Sequence, residues 1–295
     1  MLRVFVAVIA FLAVIHFSFS QKRRVFSLEN DSDFDKVALY LSATSNTCYI
    51  RPVSNSKILS IFSHSADTSN QPTIHSILED RINRVHILYN RPDDYFMSSM
   101  TYKLFNRSPE NNNNWDYYLS NQKPLLLNLD YAIGNAEVDL SNLPVERLRI
   151  RTGNADVKVE YQEDRCNLVE MDTFFVRVDM GSLKINRINH SRARNVLADV
   201  VFGGLFLDYS GAPEASSHVT ASVGAGTLII GLPESVSIPV KVIIHNSPLC
   251  RVNLPGNFRK IGKNIFVNEY YNPGDEKMLI FDLDVAVGNI QFINK

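Results

Sequence analysis

The sequence predicts an all-β chain whose short strands stack into a solenoid-like rack, and three observations carry that expectation. One pattern is written twice: Leu129-Asp-Tyr-Ala-Ile-Gly134-Asn-Ala-Glu-Val-Asp-Leu140 and Leu148-Arg-Ile-Arg-Thr-Gly153-Asn-Ala-Asp-Val-Lys-Val159, with the two glycines 19 residues apart. A fixed period near 20 is the mark of stacked coils. Each copy alternates apolar and polar residues, turns at Gly-Asn-Ala and alternates again, the period-2 signature of a strand bent at a glycine. Further bends follow at Gly181, Gly203, Gly226, Ser247 and Gly288, so that successive spacings from Gly134 are 19, 28, 22, 23, 21 and 41. Glycine suits a bend where φ is positive or a neighbouring backbone passes close. An antiparallel β-sandwich of hairpins is the alternative architecture.

The chain opens on a targeting segment. Arg3 begins a basic n-region, residues 4–19 are an almost uncharged apolar run, and Ser18-Phe19-Ser20 precedes the polar Gln21. Cleavage after Ser20 is the expectation, and residues 1–20 are read as a signal peptide. An uncleaved anchor competes, because the run approaches the roughly 17 to 25 residues that a spanning helix needs. No Cys follows for lipid attachment and no later run is long enough to span, so the mature chain is expected in the periplasm or secreted.

Residues 21–123 read as a strand-rich N-terminal cap. Residues 37–41, 48–50 and 58–62 are short apolar strands, and 84–89 is another that ends at Asn90-Arg-Pro92. Residues 73–82 also fit a helix face through Ile74, Ile77, Leu78 and Ile82, but a hairpin into the 84–89 strand is preferred. Asn111 to Asn114 is a turn-prone run before the strand at 115–119. Three cysteines, Cys48, Cys166 and Cys250, match no compact disulfide or zinc spacing and read as small apolar residues.

Residues 124–295 carry the repeats. The second and fourth residues after each bend are apolar, as in Ala136/Val138, Leu183/Ile185, Leu205/Leu207, Leu228/Ile230 and Ile290/Phe292. Arg251 breaks the rule, and a one-residue bulge would let Val252 and Leu254 take over. Stacking on the bends at 19 and then 28 residues sets Asp130 beside Arg149, Asp139 beside Lys158, Asp156 beside Lys184 and Arg149 beside Arg177. Three of those four pairs are opposite in sign. The closing strand at 279–292 is expected to cap the far end.

Function is less legible. The 30 Lys and Arg balance 31 Asp and Glu, which gives no long-range attraction to nucleic acid. There is no Gly-x-Ser-x-Gly elbow, His-Glu-x-x-His, phosphate loop or dinucleotide fingerprint, and no cofactor or metal is expected. His64, His75 and His86 recur every 11 residues but fall on separate segments. The sharpest surface feature is Arg147, Arg149 and Arg151, which share parity on one strand, with Arg177 expected to extend the row. They are candidate contacts for an anionic envelope polysaccharide or an acidic protein surface, since guanidinium groups pair well with carboxylate and phosphate.

Trp115-Asp-Tyr-Tyr-Leu-Ser-Asn, residues 124–143, Val223-Gly-Ala-Gly-Thr-Leu-Ile-Ile-Gly-Leu-Pro233 and Phe281-Asp-Leu-Asp-Val-Ala-Val-Gly-Asn-Ile-Gln together resemble bacterial toast-rack domains. These are related to the C-terminal part of LiaF-like cell-wall-active antibiotic response proteins. The resemblance implies a rack of stacked strands in an envelope protein. Its better-understood members are membrane-bound regulators of a cell-envelope stress kinase, whose multi-helix membrane region this chain lacks. The reading is therefore a non-catalytic scaffold or binding module for an envelope component or another protein. An accessory role in envelope-stress signalling and a polysaccharide-processing solenoid enzyme are the alternatives.

Overall fold

The computed structural model describes residues 22–44, 46–65, 71–89, 114–211, 216–233, 237–275 and 277–295. The signal segment 1–20 and Asn111 to Asn113 lie outside them. The described residues are almost wholly β strands and the turns between them. The strands before the repeats are β1 (Arg23–Glu29), β2 (Lys36–Ala43), β3 (Asn46–Val53), β4 (Lys57–Ser63), β5 (Thr73–Glu79), β6 (Ile82–Leu88) and β7 (Asn114–Ser120). Two long strands follow, β8 (Leu125–Asp139) and β9 (Val145–Glu160). Then come β10 (Met171–Val178), β11 (Ser182–Asn186), β12 (Ala193–Val200), β13 (Gly204–Asp208), β14 (Ser217–Val223) and β15 (Thr227–Leu232). The last are β16 (Val240–Asn246), β17 (Arg251–Asn253), β18 (Arg259–Lys260), β19 (Ile265–Val267), β20 (Leu279–Val285) and β21 (Asn289–Asn294).

Two parallel stacks meet at a corner. The first runs β6, β2, β8, β9, β10, β12, β14, β20, β16, and the second runs β7, β3, β8, β9, β11, β13, β15, β21, β17. β8 and β9 belong to both because each passes through the corner as one continuous strand. In later rungs a short turn divides the two arms. Apolar side chains fill the angle between the arms in columns, such as Leu129, Ile150, Val176, Ala198, Ala221, Leu283 and Ile244 in the first stack, all buried. The second stack answers with Val138, Val159, Ile185, Leu207, Ile230 and Phe292. Each fully buried aliphatic side chain contributes about 1.5–3 kcal/mol before chain entropy is subtracted.

The register differs from the one the repeat suggested. Gly134 stands beside Ala155, not Gly153, an offset of 21 rather than 19, and Lys158 of β9 stands beside Lys184 of β11, an offset of 26 rather than 28. Both slips are of two residues. Because side chains alternate with period 2, a slip of two leaves every residue on its assigned face while changing its neighbour. Thus Asp130 lies beside Arg151, Asp139 beside Glu160, Asp156 beside Ser182 and Arg177 beside Arg151. The opposite-sign pairs expected at the old offset do not form, although Lys158 does face Glu137.

The corner column is Asn46, Gly134, Ala155, Gly181, Gly203, Gly226 and Gly288. Among its glycines only Gly134 has a positive φ, of 106°. The rest are required by close approach: a Cβ on Gly203 would strike the Gly181 carbonyl, and one on Gly288 the Gly226 carbonyl. Gly153 serves the corner differently, since its carbonyl accepts the Met180 and Gly181 amides at 2.8 and 2.9 Å. Ser247 is followed by a turn at 247–250 rather than a bulge, after which Val252 stands beside Ile290.

The closing strand is not the end of the rack. β20 lies between β14 and β16, and β21 between β15 and β17, so the last rung in sequence is inserted before the preceding one. The end is formed by β16 and β17, with β19 added antiparallel to β16 and β18 antiparallel to β19. At the other end, β4 and β1 continue antiparallel from β7, and β5 closes the first stack by a hairpin to β6. That hairpin turns at Asp80 and Arg81, both with positive φ (51° and 60°), the twist-matched geometry of a two-residue loop. Arg23 and Arg24 on β1, and Arg259 and Lys260 on β18, place charge on exposed edges, which discourages edge-to-edge pairing.

Two buried asparagines act as strand surrogates at the start of a rung. The Asn167 side chain accepts the Val145 amide at 2.9 Å and donates to the Val145 carbonyl at 2.7 Å. Asn268 accepts the Val240 amide at 2.9 Å and donates to the Ile238 carbonyl at 2.7 Å. An amide group presents the same donor and acceptor as a peptide, so each satisfies backbone that would otherwise be buried unpaired.

Candidate functional site

The arginine row lies on the outer face of the first stack. The alternation along β9 turns Arg147, Arg149 and Arg151 to solvent between the buried Leu148, Ile150 and Thr152, and Arg177 of β10 stands beside Arg151. The row is unevenly neutralised. Arg151 donates to Asp179 at 3.1 Å, and Arg177 donates to Asp179 at 2.8 Å and also pairs with Asp199. Arg147 has only Asp172, at 3.9 Å, and Arg149 lies over the Phe175 ring at 5.5 Å, without a carboxylate partner among the described residues. Beside Arg149 and Arg151 is a shallow pocket of about 210 Å³, lined also by Tyr40, Asn128 and Asp130. Tyr40 is stacked on His86 at 4.4 Å with the rings 4° from parallel.

Farther along the same face the character changes. Phe175 and Leu197 form an apolar middle, and Asp282, Asp284 and His245 make an acidic end, with His245 Nε2 3.4 Å from Asp282. The outer face thus carries the arginines on β9 and β10 and the pair Asp282 and Asp284 on β20, on rungs roughly 4.8 Å apart.

A second cluster, which the sequence did not single out, sits on the second stack where β1, β4 and β7 meet. Asp116 of β7 has a side chain only 1% exposed. It accepts from Lys22 and from His64 Nε2 at 2.7 Å, while Arg51 lies 3.9 Å away. Lys22 also donates to the Tyr118 hydroxyl at 3.2 Å. Burial alone would raise the Asp116 carboxyl, but the bonds from Lys22 and His64 outweigh it and hold it below the usual carboxylate range. A pocket of about 360 Å³ opens beside this cluster, which lends it Lys22 and Tyr118.

Asp208 is a comparable buried carboxylate. Burial opposes its charge, and Lys295 with the Ser210 hydroxyl and amide overcome that and depress it. Since both carboxyls are depressed in the folded chain, they stabilise it above their unfolded value, and that contribution is lost as pH falls through the lower folded values. The melting temperature is therefore expected to change little from pH 7 to 5 through these groups, and to fall below about pH 3.8. Asp116→Asn should lower the melting temperature at pH 7 and flatten the acid limb of a differential scanning series; an unchanged acid limb in both Asp116→Asn and Asp208→Asn would refute the assignment.

The remaining candidates occupy ordinary structural positions. Cys48 and Cys250 are free thiols, Cys166 is half-buried, and burial pushes Cys48 up to about 12, which removes its nucleophilicity at neutral pH. Cys48 lies beside a buried tyrosine pair, Tyr89 and Tyr117, whose hydroxyls are 2.5 Å apart. His75 and His86 are cross-strand partners in the β5–β6 hairpin, whereas His64 belongs to the Asp116 cluster on the other stack. Among the described residues no helix is long and apolar enough to cross a membrane.

Residues 79–186 match the family model described as the N-terminal domain of toast_rack, DUF2154. No curated protein matches the chain. Among solved structures, a provisionally named cell adhesion protein from Clostridium sporogenes is similar at 16% identity and a TM-score of 0.41, covering 93% of this chain and 100% of its own. A provisionally named adhesin from Bacteroides fragilis (10% identity, TM-score 0.36) and a provisionally named lipid binding protein from Parabacteroides distasonis (8%, 0.37) each cover 92% of this chain and 96% of their own. Scores this low do not carry function from those proteins to this one.

Proposed function

We propose that this chain, a toast-rack protein through the domain at residues 79–186, is a non-catalytic binding module of the cell envelope, exported to the periplasm or cell surface. The observation that supports this reading is the arginine row of the outer face, and above all Arg147 and Arg149. Among the described residues Arg149 has an aromatic ring beneath it and no ion-pair partner, and Arg147 has one distant partner. Guanidinium groups held this way on a rigid parallel stack offer fork-shaped donors at fixed spacing, which suits an extended anionic partner such as an acidic envelope polysaccharide or an acidic protein strand. Arg151 and Arg177 are already engaged by Asp179 and Asp199, so they contribute less.

The test is retention on isolated envelope material. Replacing Arg147, Arg149 and Arg151 by Ser removes three exposed cations from an outer face, and each should cost under about 1 kcal/mol of stability. Circular dichroism should be unchanged. Retention of the parent should weaken with salt, because exposed charges are screened over about 8 Å at physiological ionic strength. The triple variant should bind weakly at low salt and lose the salt dependence. Equal binding of parent and folded variant at low salt would place the partner elsewhere.

A further inference from the structure

We infer that the pocket beside the Asp116 cluster, lined by its Lys22 and Tyr118, is a second binding site, built for a small organic anion with an apolar body. Its floor is aromatic: Phe62 of β4 meets Tyr118 of β7 edge to face at 5.6 Å, and Val53 continues the apolar lining. Its rim is cationic, with Lys22, Arg24 and Lys57 all lining the opening. Two of these cations are held by carboxylates, Lys22 by Asp116 and Lys57 by Glu29 at 2.6 Å. Arg24 is not; it lies over the Phe62 ring at 5.4 Å and has no ion-pair partner among the described residues.

That combination selects a ligand class. An apolar concavity of about 360 Å³ falls within the range of small-molecule sites, about 300–1,000 Å³. An inorganic anion would leave the aromatic floor wet, and a neutral apolar molecule would leave Arg24 without an ion-pair partner among the described residues. A carboxylate or phosphate carrying a hydrocarbon or aromatic body satisfies both. The Asp116 network behind the floor has a structural consequence: it fixes Lys22 and Tyr118, so the rim is preorganised and Arg24 is the group free to close on the ligand. The same chemistry is offered by a free acyl carboxylate and by an acidic lipid.

Octanoate is the probe for the free anion, octyl glucoside for the same tail without charge, inorganic phosphate for charge without a tail, and phosphatidylglycerol vesicles for the lipid. Binding is read on the full mature chain by isothermal titration and by amide chemical shifts. Octanoate should bind and shift amides of β1, β4 and β7, while octyl glucoside and phosphate should not. Arg24→Gln should weaken octanoate about ten-fold or more, and Phe62→Ser should weaken it as well, with both variants folded by circular dichroism. Vesicle flotation lost in Arg24→Gln would identify lipid as the source; octanoate binding without flotation would identify the free anion. The Arg147/Arg149/Arg151 serine variant should bind octanoate normally, which separates this site from the arginine row. No octanoate binding by the parent, or equal binding by Arg24→Gln or of octyl glucoside, would overturn the inference.

Discussion

Gly226→Ala is expected to destabilise the rack by about 3 kcal/mol, whereas Gly204→Ala, on the arm beside the corner, should be neutral or slightly stabilising. A Cβ on Gly226 would stand 2.5 Å from the Gly203 carbonyl oxygen and 2.6 Å from Val200 Cγ1. The first obstacle is backbone that is itself fixed, because the Thr227 amide donates to that same Gly203 carbonyl at 3.0 Å. Relief would require parting two rungs, breaking corner hydrogen bonds and opening the columns on both arms; overpacking costs about 1–3 kcal/mol even where side chains can yield. Gly204 faces open space, with nothing within 4 Å of the new atom. There, alanine restricts the unfolded chain without a folded-state penalty, a gain of about 0.5 kcal/mol. For a chain of this size 1 kcal/mol corresponds to about 2–4 °C, so the two variants should differ by roughly 10 °C in a thermal melt. Equal melting temperatures would mean that the corner is not packed backbone on backbone.

The legible part of the fold was whatever depends on parity. Alternation along 129–140 and 148–159 identifies inner and outer faces, and it survives a two-residue slip unharmed, which is why Val138 and Val157 are buried as expected although their neighbours differ. The bend glycines were legible for the same reason that they are needed: at Gly181, Gly203, Gly226 and Gly288 a side chain would enter the previous rung. What misled was the most conspicuous glycine pair. Gly134 and Gly153 share a local sequence, yet stacking is decided by inter-strand hydrogen bonds, and these bring Ala155 to the corner. The insertion of β20 and β21 inside the stack was invisible, since a long connection through 254–278 carries no sign of which edge it returns to. Parallel strands tolerate such crossovers because any connection long enough will reach.

For the candidate sites the limits were different. The arginine row is a property of one strand, so residue parity reveals it. Its neutralisation is not: Asp172, Asp179 and Asp199 come from the next two rungs and from the corner turn. The Asp116 cluster draws Lys22, Arg51, His64 and Asp116 from four separate stretches that meet through antiparallel additions at the cap. No spacing rule could have joined them. The run Trp115-Asp-Tyr-Tyr held one local sign, an Asp at a position where the strand is buried on both sides, which demands partners.

Val157→Asp and Lys158→Asp, adjacent on β9, should differ by several kcal/mol. Val157 is 3% exposed, between Ala136 and Leu183 in a column of aliphatic side chains. A carboxylate there has no donor within the column and must either remain charged without a partner or take up a proton; in both cases buried polar surface replaces packed methyl groups, at about 3–5 kcal/mol. Protonation offers a distinguishing sign. If the introduced carboxyl is buried, its folded pKa lies above the unfolded value, so the variant should recover part of its stability as pH falls toward 4, opposite to the parent's acid limb. Lys158 is on the outer face, beside Glu137 and Lys184 and 2.5 Å from Glu160. Its replacement by Asp exchanges exposed attraction to Glu137 and Glu160 for repulsion, offset in part by a new attraction to Lys184, and water and salt reduce the balance to about 1 kcal/mol or less. Thermal melts of both variants at pH 7 and pH 4.5 decide the matter. Comparable losses at pH 7, or a Val157→Asp variant that weakens further on acidification, would show that β9 does not present Val157 to the interior.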